Sequence, residues 1–271
     1  MSDLPSSSPA SLRSTSSSHN SFHDFFEWWL VEQKQELDEL ISASKQKLNN
    51  KNNNHDSLQP LINRVLEHYE QYYSAKSKWA KHDVLAMFSP SWTSPLEDAF
   101  LWIGGWRPSM AFHLLYSKSG LQLEAQLHDV IRGLCTGDLG DLSPNQLVQV
   151  DEFQRRIIRE EKNITENMAK HQATVADTSM VELTHAISKT RRDEGSSIGN
   201  EVQERVESTL KTKLEGLEKV LQKADDLRLR TLKGIIDILT PDQTVHFLIA
   251  AAELHLRLHE LGKKMDTKVI N

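Results

Sequence analysis

The sequence predicts an all-α fold, a bundle of long antiparallel helices with short helices around a Gly-Gly corner. Three observations predict it. Apolar residues recur at three-and-four spacing through most of the chain. A Ser or Thr followed by Pro, the pairing of an N-cap with a first helical position, occurs at Ser94-Pro95, Ser143-Pro144 and Thr240-Pro241. No stretch alternates apolar and polar residues as a half-buried strand would.

Residues 1–20, MSDLPSSSPASLRSTSSSHN, are Ser- and Pro-rich and cannot bury a core, so a disordered tail is expected there. Ser21 is a candidate N-cap for a first helix over residues 21–48, with Phe22, Phe25, Phe26, Trp29, Leu30, Leu37, Leu40 and Ile41 on its apolar stripe. NNKNNNHDS breaks it. Asp56 or Ser57 then caps a second long helix, striped by Leu58, Ile62, Val65, Leu66, Tyr69 and Tyr73 and ended by Pro90.

Ser94, Pro95 and Glu97 start a helix that the pair Gly104-Gly105 ends. Pro108 opens another, stopping near Gly120, and a short helix follows around residues 123–134. CTGDLGDLS is a loop. Ser143 and Gln146 are placed for a capping box. The helix they open carries Leu147, Val150, Phe153, Ile157, Ile164, Met168 and Val175, with Glu161 and His171 interrupting the stripe. A further segment reaches about Arg192, and DEGSSIGN breaks the chain again. From Glu201 runs the stripe Val202, Val206, Leu210, Leu214, Leu217, Leu221, Ala224. Thr240 opens the last helix, with Gly262 as its expected C-cap, so that residues 21–262 form the domain and residues 263–271 a tail. Heptads are not sustained enough for a free coiled coil.

Bulk composition narrows the function. The 271 residues carry a formal charge of −6, which argues against a basic surface that coats nucleic acid. One cysteine, Cys135, allows no intrachain disulfide, and the Ser-rich N-terminus lacks the apolar run of a secretory signal, so an intracellular location is expected. The sequon Asn163-Ile164-Thr165 carries little meaning in that setting. No apolar stretch is long enough for a membrane span.

The string FLWIGGWRPS at residues 100–109 raises the question of a glycine-rich ligand loop against an inter-helix corner. It lacks the G-x-G-x-x-G spacing and no strand precedes it, which favours the corner. PLEDAFLWIGGWRPSMAFHLL resembles the acidic-aromatic helix and Trp-Ile-Gly-Gly-aromatic-Arg turn of plant delay-of-germination (seed dormancy control) proteins and of the C-terminal domain of TGA-type bZIP transcription factors. LSPNQLVQVDEFQRRIIREEKNITENMAKHQATVAD and ADDLRLRTLKGIIDILTPDQTVHFLIAAAELHLRLHEL resemble two further blocks of that domain. The resemblance marks Trp102, Gly104, Gly105, Trp106 and Arg107 as a structural family motif. No Lys/Arg-dense helix precedes the domain to enter a major groove, so direct sequence-specific DNA contact is not expected.

The resemblance implies a non-enzymatic plant regulator in the nucleus and/or cytoplasm, active in seed dormancy, abscisic-acid signalling or transcription. Its implied partners are type 2C protein phosphatases or TGA-type bZIP factors, with a homo-oligomer as a further option. A developmental role of the pollen-aperture type is an alternative. A second alternative is a haem- or small-ligand-binding sensor using His255 and His259. These lie one turn apart at the edge of the last helix's apolar side, next to a second apolar face of Phe247, Ala251, Leu254, Leu258 and Leu261. The competing reading is a pair of core histidines with ordinary hydrogen-bond partners. H-x-x-x-H spacing suits one metal ion better than opposite faces of a haem, and it lacks the glutamate of a zinc protease. His171 is a distant candidate partner. Asp138 and Asp141 offer too few ligands for a calcium loop. Glu97 and Asp98 near Arg107 serve a helix start before acid–base chemistry.

Overall fold

The computed structural model describes residues 21–49, 58–125, 138–192 and 200–269. Every regular element among them is helical: α1 (Phe22–Asn49), α2 (Gln59–Ala80), α3 (Val84–Phe88), α4 (Pro95–Asp98), α5 (Ser109–Ala125), α6 (Pro144–Ala173), α7 (Thr178–Arg192), α8 (Asn200–Ile238) and α9 (Pro241–Val269). Short 3-10 turns occupy Leu139–Asp141 and Thr174–Ala176. α6 lies along α8 and α1 along α9, and α2 joins the two pairs.

The start signals act as their chemistry dictates. Ser21 Oγ accepts from Asp24 N–H at 3.1 Å. Ser94 with Glu97, and Ser143 with Gln146, close capping boxes. Thr240 and Gln243 exchange the same two bonds, at 3.4 and 3.0 Å. At α2 the N-cap position falls to Leu58, with no side-chain cap, and Asp56 and Ser57 lie outside the described residues.

The glycine stops differ from expectation. α4 ends at Asp98, before the glycine pair, which belongs to the turn that follows. α5 runs through Gly120, and most of the helix expected at 123–134 lies outside the described residues. α9 passes Gly262 and reaches Val269. Gly262 is in the helix because nothing larger fits, since a Cβ there would lie 1.9 Å from Ser94 Oγ.

The core has two lobes. The larger gathers Leu40, Ile62, Phe112, Leu115, Leu139, Ile157, Leu227, Ile235 and Phe247 from both helix pairs. The smaller is aromatic: Phe22, Phe25, Phe26 and Trp29 of α1 pack with Trp92, Met87 and Leu221. On α6 the buried row is Val150, Phe153, Ile157, Glu161 and Ile164. Leu147 is exposed because Gln146 turns inward instead, donating to Ile238 O and Gln243 Oε1. Val175 is exposed because the 3-10 turn has replaced the α period by then. Among the described residues no helix is long and apolar enough to cross a membrane.

Candidate functional site: the Trp-Ile-Gly-Gly-Trp turn and its buried charges

The segment between α4 and α5 is a tight turn. Trp102 N–H donates to Gly105 O at 2.7 Å, and Gly105 N–H returns to Trp102 O at 3.3 Å. Both central residues have positive φ, +48° at Ile103 and +68° at Gly104. That is the type I′ pattern, which normally takes Asn or Gly at both positions. A β-branched residue in the left-handed region costs on the order of 1–2 kcal/mol, so something must hold Ile103 there.

Three buried charges do so. Arg228 of α8 is fully buried and donates from Nε to Trp106 O at 2.6 Å and from Nη2 to Ile103 O at 3.0 Å and to Trp102 O. Lys76 of α2, 1% exposed, donates to Gly104 O at 2.6 Å. Every carbonyl from Trp102 to Gly104, and that of Trp106, therefore meets a cation. Asp225, one turn before Arg228, accepts from both Lys76 Nζ (3.0 Å) and Arg228 Nη1. Burial pulls the Lys76 ammonium down to about 8 and Asp225 opposes it, so the group stays charged at neutral pH.

The two glycines serve separate contacts. A Cβ on Gly104 would lie 2.5 Å from the Met87 carbonyl oxygen, and one on Gly105 would lie 2.9 Å from Arg228 Cζ. The tryptophans anchor the flanks. Trp106 Nε1 donates to Tyr73 Oη (3.1 Å) and Trp102 Nε1 to Thr165 Oγ1 (3.0 Å). Arg228 and Arg107 both approach the Trp102 ring, at 5.4 and 5.8 Å from its centroid. Arg107 Nε also reaches Glu161 Oε2 at 3.1 Å, and the other oxygen of Glu161 accepts Ser109 N–H at the start of α5. Glu161 interrupts the α6 stripe because it is the anchor for that helix start.

His255 and His259 stand apart from this turn, between α9 and α1. His259 is buried, with Nδ1 3.0 Å from both oxygens of Glu97. Glu97 also closes the α4 capping box. Burial pushes its carboxyl up, but the bonds from His259 and Ser94 outweigh burial and hold it at about 2. His255 donates from Nδ1 to Gln33 Oε1 at 2.7 Å, and the Gln33 amide donates to Tyr69 Oη at 3.2 Å. Burial, chiefly, lowers the His255 imidazole to about 4, so it is neutral at pH 7. A third histidine, His68, repeats the arrangement, with Nδ1 2.8 Å from Glu36 and its ring stacked 4.7 Å from Trp29.

A haem held by the His255–His259 pair would have to enter this packing. His259 Nε2 is buried without a hydrogen-bond partner among the described residues, and Glu97 orients the opposite nitrogen as a metal's outer carboxylate would. The flank is filled, however. Phe26 lies edge-on to both rings, at 6.4 and 5.8 Å, and Trp29 is 5.7 Å from His255. A flat macrocycle has no place against either imidazole, and the residues as folded do not fit it. His171 is not part of the pair: its Nε2 is taken by Lys213 O at 2.7 Å, over Gly216. Asp138 caps the turn at Leu139–Asp141, accepting Gly140 N–H.

Lys76, Asp225 and Arg228 were absent from the sequence-based candidates, although each was detectable as a charge on an apolar stripe. Lys76 follows Tyr73 by three residues, and Asp225 and Arg228 follow Leu221 and Ala224 by four.

Comparison with known proteins agrees with this frame. The family model described as DOG1, seed dormancy control, matches residues 36–117, which include α2, the turn and the start of α5. Protein DOG1-like 4 of Arabidopsis thaliana is 34% identical over 246 residues, covering 90% of this chain and 92% of that protein. Protein DOG1-like 3 of the same plant is 30% identical, covering 88% and 82%. Transcription factor TGA2, also from Arabidopsis thaliana, is 30% identical over 235 residues, which are 86% of this chain and 61% of TGA2. The all-α chain, with its gripped Trp-Ile-Gly-Gly-Trp turn, belongs to the DOG1 seed dormancy control family and is related to the TGA transcription factors.

Proposed function

We propose that the protein is a non-enzymatic regulator that acts by binding other proteins, in seed dormancy and the abscisic-acid or transcriptional responses tied to it. One observation carries this reading. Among the described residues, the buried charged groups of the turn and its flanks are bonded to the chain itself. Lys76 and Arg228 hold backbone carbonyls, Glu161 and Glu97 hold helix starts, and His259 is bonded to Glu97. The long helices meanwhile expose apolar side chains such as Leu254, Leu261 and Met265, which suit contact with another protein. The relation to TGA2 supports a transcription-linked setting, with the nucleus and/or cytoplasm as the site of action.

The expected partners are a type 2C protein phosphatase or a TGA-type bZIP factor. Titration calorimetry of the purified chain against one representative of each tests this. Binding of either at micromolar Kd or tighter supports the reading. Absence of binding to both, with the chain folded and monodisperse, overturns the choice of partners. Turnover of a phosphoester or ester substrate by the chain alone overturns the non-enzymatic assignment.

A further inference from the structure

Because α9 continues past Gly262, it carries a feature that a helix ending there would lack. Ala251, Leu254, Leu258, Leu261 and Met265 follow one another by three, four, three and four residues. That is the 3.5-residue repeat of a helix–helix seam. Its beginning, Phe247, is buried in the core. Farther along, the stripe emerges: Leu254 is 50%, Leu261 54% and Met265 53% exposed, with Ala251 and Leu258 half-buried.

The charges beside the stripe are ordered. At 100° per residue, Arg257, Lys264 and Lys268 form one row along its outer edge. All three are exposed. Arg257 pairs with Glu260 at 2.9 Å, while Lys264 and Lys268 make no ion pair among the described residues. Glu253 and Glu260 stand beyond the basic row, on the side away from the stripe. The opposite edge holds His255 and Gly262, against Gln33 of α1 and Ser94 before α4.

We infer that this face docks an amphipathic helix of a partner protein whose apolar seam is edged by Asp or Glu. The inference rests on the protein-binding reading above and names a surface for it. Charge selects the occupant. A second copy packed antiparallel would set Arg257, Lys264 and Lys268 against the same row. A second copy packed parallel would need the other edge, which α1 and the Ser94 turn already cover. An acidic helix meets the basic row directly, and its leucines meet a stripe with the matching repeat.

The test uses the full chain and a defined probe. A fluorescein-labelled, stapled helical peptide of about five turns carries Leu at heptad positions a and d and Glu at e and g, and its twin carries Lys at e and g. Fluorescence anisotropy is expected to show the Glu peptide binding at least about tenfold tighter than the Lys twin. The exposed double variant Leu254→Ser/Leu261→Ser keeps its melting temperature and loses at least about tenfold in affinity. Arg257→Glu/Lys264→Glu/Lys268→Glu reverses the peptide preference. Equal binding of both peptides, or unchanged binding by the serine variant, overturns the inference. So does a result in which the serine variant only converts a dimer to a monomer by light scattering, or only abolishes sedimentation with phosphatidylserine vesicles. None of these outcomes bears on the phosphatase and bZIP titrations, so the two readings fail separately.

Discussion

Replacing Arg228 with Met keeps the unbranched stem and removes the guanidinium. In the native chain that group donates to Trp102 O, Ile103 O and Trp106 O and to Asp225, and lies 5.4 Å from the Trp102 ring centroid. Trp102 O retains Gly105 N–H, and Asp225 retains Lys76. The carbonyls of Ile103 and Trp106 lose the donors shown for them. An orphaned buried acceptor costs about 1–3 kcal/mol, and a charge-assisted bond contributes about 1.5–3. Some of this is offset, because burying Met avoids desolvating a cation. A net loss of about 4 kcal/mol is expected.

Urea denaturation followed by tryptophan fluorescence measures it. With m of about 3 kcal/mol per M, the midpoint falls by about 1.3 M. The companion Asp225→Asn leaves Lys76 and Arg228 without their shared anion, and the double variant loses less than the sum of the singles, by about 1 kcal/mol or more. An Arg228→Met chain within 1 kcal/mol of wild type, with unchanged helicity, would refute the idea that this cation holds the turn.

Two glycine substitutions separate backbone strain from crowding. Gly104→Ala combines a positive φ with a Cβ 2.5 Å from Met87 O, and melts well below wild type. Gly105→Val pushes on the Arg228 guanidinium and damages folding, so a variant with native helicity and melting temperature argues against this geometry. The third prediction concerns pH. His255 has a folded pKa of about 4 against 6.5 unfolded, so the unfolded chain binds the extra proton and stability falls as pH drops from 6.5 to 4. The shift corresponds to somewhat more than 3 kcal/mol, at about 1.4 kcal/mol per pH unit. Glu97 near His255, held at about 2, adds its own loss only from about pH 4.5 downward. His255→Gln is expected to flatten the decline between pH 6.5 and 4.5, and an unchanged slope in denaturant midpoints would reassign it to other groups.

Helix starts were legible because their chemistry is local: Ser94, Ser143 and Thr240 each find a partner three residues on. Helix ends were not, because a glycine reads as a stop when it can equally be a point of close approach. The cost of glycine inside a helix, about 1 kcal/mol, is outweighed at Gly262 by the need to pass Ser94. The continuation of α5 through Gly120, where a Cβ would meet no atom within 4 Å, has no such account. The turn was legible as a corner, yet the cations that grip it come from Lys76 and from Arg228, over 120 positions further on than the carbonyls it holds. Charges on an apolar stripe signal that a partner exists; they do not name it across such separations.

Function has to be sought away from the turn for the same reason. A string such as Trp-Ile-Gly-Gly-Trp-Arg specifies a backbone conformation. Ile103 is strained, Gly104 and Gly105 have no room for a side chain, and four carbonyls point at buried cations. Similarity in that string therefore reports that the turn is built the same way, whatever the chain binds. His259 lies outside the turn but serves the same frame, since its imidazole reaches Glu97, which closes the capping box of the helix leading into the turn. Substitutions at either place change stability first and binding only as a consequence. Specificity has to reside where side chains are free to vary without unfolding the bundle, and the exposed α9 stripe with its basic row meets that condition. Variants there that spare the melting temperature are the ones able to separate binding from folding.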